Sequence, residues 1–101
     1  MLVFRWQASV QPTREQLKSI YLLEGLKPEE ETMPPGSEVE DHKHPFDEFR
    51  VIVEGELMMS ISGNKLVLRP GDRILIPSNT RHSMSNTSEE SCVSFCAHRA
   101  Y

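Results

Sequence analysis

GSEVEDHKHPFDEFRVIVEG, residues 36–55, sets His42, His44 and Glu48 directly ahead of an alternating apolar run. Side chains alternate along an extended backbone, so His42 and His44 project from one face. Their Cβ atoms then sit roughly 6–7 Å apart, close enough for both rings to converge on one ion. Glu48 would lie about 13 Å further along a continuous strand, too far to share that ion. Pro45 argues against such a strand, because it donates no N–H and favours turns, and Phe46-Asp47 gives the chain room to reverse. A strand starting at Glu48 then runs back beside the first and brings its carboxylate to the imidazoles. Two histidines and one carboxylate are a ligand set for a divalent transition metal.

Downstream, the pattern is that of short strands. Glu48–Glu54 alternates, Gly55 turns the chain, and Glu56–Ser62 alternates again, with Leu57, Met59 and Ile61 against Met58 and Ser60. Gly63-Asn64 reads as a turn, Lys65–Arg69 as a strand closed by Pro70-Gly71, and Arg73–Ile76 as the next, closed by Pro77. His82–Asn86 and Ser91–His98 complete the set. Upstream, Met1–Trp6 reads as a short strand or apolar arm. Thr13 with Gln16 is a capping-box pattern for a helix near 13–19. Ile20–Leu26 reads as a strand, and Lys27–Gly36, with three prolines, as a loop or irregular edge segment. Glu29-Glu30-Glu31 reads as a solvated connection. Short strands separated by Gly and Pro turns indicate an all-β sandwich or barrel.

His82 follows a Gly-Asp turn, the run RILI and a proline, but nearly forty residues separate it from His44, and spacing cannot bring them together. A family resemblance does. Gly36, His42, His44, Glu48 and Gly55 resemble the first motif of the cupin superfamily, and Gly71, Pro77, His82 and Asn86 resemble its second. Asn79 stands where the family usually has glycine, and Asn tolerates a left-handed backbone. The resemblance implies a cupin-type jelly-roll β-barrel of short antiparallel strands with one short N-terminal helix. It implies a single structural domain, with residues 1–35 as arm, helix and first strands and 36–101 as the core holding both motifs. It also implies metal ligation by His42, His44, Glu48 and His82 at the barrel mouth, for one divalent ion among Mn, Fe, Ni, Zn, Co or Cu. His98, outside both motifs, is expected to be exposed or packed.

If Glu48 points inward, so do Arg50 and Ile52, while Phe49, Val51 and Val53 point outward. An inward arginine needs an anion. That anion is either an internal acid such as Glu40 or Asp47, or the carboxylate of a small substrate. Met84 shares the parity of His82, which makes Arg50 and Met84 the candidate substrate-binding residues; Met58 is a second methionine able to line the interior. The outward apolar row needs cover from the arm, the helix or a second subunit. Burying it is worth on the order of 5–8 kcal/mol, and a homodimer by sheet packing is expected.

The chain has 101 residues, enough for one core, and a formal charge of −4, which argues against a nucleic-acid partner. No apolar run approaches the roughly 18 residues of a membrane span, and the start lacks a leader pattern, so a cytoplasmic location is expected. Cys92 and Cys96, about 13 Å apart on one strand, are expected as reduced, buried thiols. The expected function is a dioxygenase-like, isomerase or lyase metalloenzyme on a small oxygenated or carboxylate-bearing molecule, or else a non-catalytic binding or sensing module. Tyr21, Glu40 and Arg50 are the acid–base candidates, and no residue is assigned as catalytic.

Overall fold

In the computed structural model, which describes residues 2–99, one short helix precedes most of a two-sheet β structure. Met1 of the expected arm, and Ala100 and Tyr101 of the expected core, lie outside the described residues. The elements are β1 (Leu2–Phe4), α1 (Arg14–Leu23), β2 (Glu29–Met33), β3 (Glu38–His42), β4 (Asp47–Glu54), β5 (Leu57–Ile61), β6 (Asn64–Leu68), β7 (Arg73–Ile76), β8 (His82–Ser85) and β9 (Cys92–Arg99). A five-stranded sheet runs in the order β1-β7-β4-β9-β2 and a four-stranded sheet in the order β3-β8-β5-β6, with antiparallel pairing throughout. This is the jelly-roll architecture expected above.

Alternation along the strands divides the apolar residues into two layers. Ile52, Leu57, Met59, Ile61, Ile74, Ile76 and Met84 pack with Leu68 and Cys92 as one core cluster, drawn from both sheets. Val51, Val53, Val93, Phe95 and Ala97, the opposite parity on β4 and β9, pack with Leu17 and Tyr21 of α1. The outward row of β4 is therefore covered by the chain's own helix. It does not by itself call for a second subunit.

Three local expectations are corrected. Ile20–Leu23 continues the helix, where a strand was expected from Ile20 to Leu26, because Leu17 and Tyr21 lie one turn apart on the face that meets the sheet. The amide of Gly25 donates to Leu22 at 3.1 Å and that of Leu26 to Tyr21 at 2.9 Å, with Gly25 at φ 75°, a Schellman stop that only a residue free of Cβ adopts at little cost. Second, Glu29–Glu31 belongs to β2, the edge strand beside β9, and is not a connection. The three acids are exposed while the backbone pairs with β9, as edge strands permit, and Glu30 and Glu31 pair with Arg14 and Arg50. Third, the β5–β6 turn is Ser62-Gly63, one residue earlier than Gly63-Asn64. Both have positive φ, 49° and 87°, as a two-residue hairpin of right-handed twist requires.

The N-terminal arm is held by a buried carboxylate. Asp72 accepts from the Trp6 amide at 2.9 Å, the Arg69 amide at 3.0 Å and the Arg5 guanidinium at 2.8 Å. Burial works against its charge, but these donors outweigh it and keep the carboxyl below its ordinary range. Trp6 lies directly over Gly71, where a Cβ would come within 2.6 Å of the indole.

Candidate metal centre

β3 and β4 do not run side by side. They lie in different sheets, so the turn at Pro45 carries the chain across the barrel. His42 ends β3 and His82 opens β8, directly paired in the four-stranded sheet, while Glu48 faces them from β4 of the five-stranded sheet. His44 sits in the crossing segment. Its ring stacks on Phe46 at 4.1 Å, and its backbone carbonyl accepts from the Asn79 amide at 2.7 Å. Asn79 has φ 58°, the left-handed conformation for which an asparagine suffices.

One ring nitrogen from each of His42, His44 and His82 lies within 4.8 Å of the other two. The Nδ1 atoms contact the carbonyls of Glu40 at 2.8 Å, Phe46 at 3.1 Å and Thr80 at 2.8 Å. A carbonyl can only accept, so each Nδ1 carries the proton. The three Nε2 atoms are left to turn towards a common point, the arrangement by which backbone carbonyls orient metal-ligating imidazoles. Nε2 of His44 lies 3.0 Å from Oε1 of Glu48, and Nε2 of His82 lies 3.8 Å from it.

His82 gives the clearest sign of fit. Its ring is fully buried, and Nε2 has no hydrogen-bond partner among the described residues. Leaving such an atom unpaired costs about 1–3 kcal/mol, and coordination satisfies it. Burial also pushes the His82 pKa down, against the opposing pull of Thr80 and Glu48, so the ring is neutral as a ligand must be. Glu48 is buried too, yet Arg50 outweighs that burial and holds the carboxyl below its ordinary value. The three histidines thus lie together, and Glu48 reaches two of them, His44 and His82.

Arg50 points inward, as parity requires, and is 2% exposed. Its Nε donates to Glu48 at 3.0 Å, Nη1 to Ser94 at 2.7 Å and Nη2 to Glu31 at 3.1 Å. The balancing acids are Glu48 and Glu31, not Glu40 or Asp47. Sequence reasoning missed Glu31 and Ser94, because only the register of β2 and β4 on β9 brings them to Arg50. Met84 shares the inward parity of His82 and packs in the inter-sheet core. Met58 is not in that core; it lines a shallow groove of about 400 Å³ with Ser60, Ser83 and Glu38. Tyr21 packs with the helix cluster behind β4 and β9, on the parity opposite Glu48. Glu40 is exposed, and its carbonyl serves His42.

Two residues outside both motifs reach the site. His98 pairs with Glu48 across β4 and β9, its ring 4.3 Å from Phe46 and 6.0 Å from His44. Cys96, paired with Arg50, is buried, and its thiol lies 3.6 Å from Nε2 of His98. Both cysteines are free; burial pushes the Cys92 thiol up to about 11 and that of Cys96 up to about 12. The signal for His98 was its two-residue offset from Cys96, legible only once the pairing with β4 is known.

Residues 29–98 match the family described as Cupin domain. Among curated proteins, the chain is 36% identical over 59 residues to a polyketide synthase protein, CurC, of Streptomyces cyaneus, covering 57% of this chain and 38% of that one. It is 35% identical over 69 residues to the HTH-type transcriptional regulator PuuR of Escherichia coli (strain K12), covering 67% of this chain and 37% of that one. The matched part is thus little more than a third of either relative. Among solved structures, a predicted oxalate decarboxylase from Thermotoga maritima superposes with a TM-score of 0.69 at 24% identity, covering 83% of this chain and 74% of that one. That likeness is one of fold.

Proposed function

The chain belongs to the cupin-domain family, and on that premise we propose that it binds one divalent transition metal and acts on a small oxygenated or carboxylate-bearing molecule. The observation that carries this reading is the grouping of His42, His44 and His82 within 4.8 Å, with Glu48 Oε1 3.0 Å from His44 and 3.8 Å from His82, whose buried Nε2 has no hydrogen-bond partner. His42, His44, His82 and Glu48 would hold the ion, which would supply a Lewis-acid centre able to polarise an oxygen of the bound molecule. Glu48 divides its charge between that position and Arg50, so the ion keeps net positive charge towards the mouth and favours an anionic ligand. Arg50 is assigned to holding Glu48 rather than to contacting substrate, since each of its three side-chain nitrogens already donates to a protein side chain.

The second reading, a ligand-sensing module without turnover, is favoured by the match to a transcriptional regulator. Metal analysis of the purified protein, followed by oxygen consumption with catechols, flavonols and keto-acids, separates the two. One ion per chain with turnover supports the enzyme, and one ion with saturable binding but no turnover supports the module. Absence of metal in protein purified from metal-supplemented cells removes the enzyme.

The expected homodimer is kept as a proposal at a different place. Leu2 and Phe4 on edge strand β1 are 54% and 57% exposed, beside a groove lined by Phe49 and Leu75. Light scattering at micromolar concentration that returns the mass of a single chain removes it.

A further inference from the structure

The inner wall of the five-stranded sheet carries a second set of donors. Glu48, Arg50, Cys96 and His98 share one face of β4 and β9, in the pairs Glu48–His98 and Arg50–Cys96. Donor atoms of Glu48, Cys96 and His98 all lie within 4.8 Å of one another, and the Cys96 Sγ to His98 Nε2 distance is 3.6 Å. We propose that these three side chains form a cation position distinct from the three-histidine set, selective for thiophilic ions such as Zn²⁺ or Cd²⁺. Only this set contains sulfur, and a thiolate beside an imidazole and a carboxylate favours thiophilic ions more than three imidazoles and a carboxylate do.

Charge around the position supports it. Arg50, bonded to Glu31 and Glu48, leaves that group with one surplus negative charge. Binding breaks the Cys96 S–H bond, forms an S–metal bond and releases the proton to solvent. A divalent ion and the thiolate together then bring the group to neutrality. Nη2 of Arg50, 3.5 Å from Sγ, faces the thiolate and offsets its charge. His98 is exposed and Cys96 buried one inward step below it, so an ion enters past His98. Both donor sets use Glu48, and ions at the two positions therefore compete. The position does not rest on the three-histidine reading, and either can fail alone.

Cadmium titration of the chelator-treated, reduced protein tests it, read by the ultraviolet thiolate-to-cadmium band and, on the unmodified chain, by X-ray absorption at the cadmium edge. One sulfur in the cadmium shell is expected. The band should persist in Cys92→Ser and in the double variant His42→Ala/His82→Ala, and should be lost in Cys96→Ser. His98→Ala should weaken binding by at least the roughly 10–100-fold that even outer-shell partners command. A cadmium shell of nitrogen and oxygen alone overturns the proposal without any variant having to fold. So does a band that survives Cys96→Ser, or one that disappears with His42 and His82, which would make the thiol a ligand of the first site.

Discussion

Arg50 holds Oε2 of Glu48 through Nε, and Oε1 is thereby left facing the histidines. Both side chains are almost fully buried, so the pair is worth little as a source of net stability but a great deal once broken. Arg50→Met keeps the volume and strands the buried carboxylate of Glu48, while the exposed Glu31 stays solvated. It should cost about 3–5 kcal/mol in urea unfolding near neutral pH. The loss should shrink as acid protonates the stranded Glu48, and an unfolding curve indistinguishable from that of the parent would show that Glu48 needs no counter-charge. The four candidate ligand positions were readable in the sequence, His42, His44 and Glu48 from their residue types and spacing and His82 through the resemblance to the second motif. Glu31 and Ser94 were not, since neither residue type announces a partner. Only the pairing of β2 and β4 on either side of β9 brings them to Arg50.

At the scale of elements, the strands from β4 onward were legible because alternation and Gly or Pro turns agree. The segment from Ile20 to Leu26 was not: four consecutive apolar residues fit a helix or a buried strand equally, and tertiary cover decided. Gly25 was the overlooked signal, a left-handed stop one residue past the cap. The arm is another element whose anchoring is visible only in the fold. Gly71 sits at φ 91° under Trp6, so Gly71→Ala meets both backbone strain and an indole 2.6 Å away. It should cost about 1–3 kcal/mol and shift the fluorescence of Trp6, the sole tryptophan, towards that of exposed indole. Asp72, on the next residue, makes the same arm pH-sensitive. Its folded carboxyl lies below the ordinary value, so the unfolded chain binds the proton more readily. The contribution is present in full above about pH 4 and is lost as pH falls through the folded value. Trp6 fluorescence should therefore hold steady from neutral pH to about 4 and change below it. In Asp72→Asn that acid step should be missing.

For the whole molecule, the important fact is that the candidate ligands do not belong to one sheet. His42 and His82 end strands of the four-stranded sheet, Glu48 begins a strand of the five-stranded one, and His44 lies in the segment that crosses between them. An ion bound by all four ties the sheets together at the mouth, where the apolar packing of Ile52, Met59 and Ile76 gives way to polar groups. Unfolding must separate those sheets and release the ion, so binding energy becomes folding energy. At a metal concentration 100 times the dissociation constant the gain is about 2.7 kcal/mol. For a domain of this size each kcal/mol moves Tm by about 4–8 °C, which gives a rise of about 11–22 °C over the chelated protein. With Mn²⁺, which the thiolate position does not favour, the rise should vanish in His82→Ala and in Glu48→Gln alike, because each removes a ligand from a different sheet. An increase that survives Glu48→Gln but not His82→Ala would mean that the ion is held by the histidines alone, and that the two sheets meet at the mouth without it.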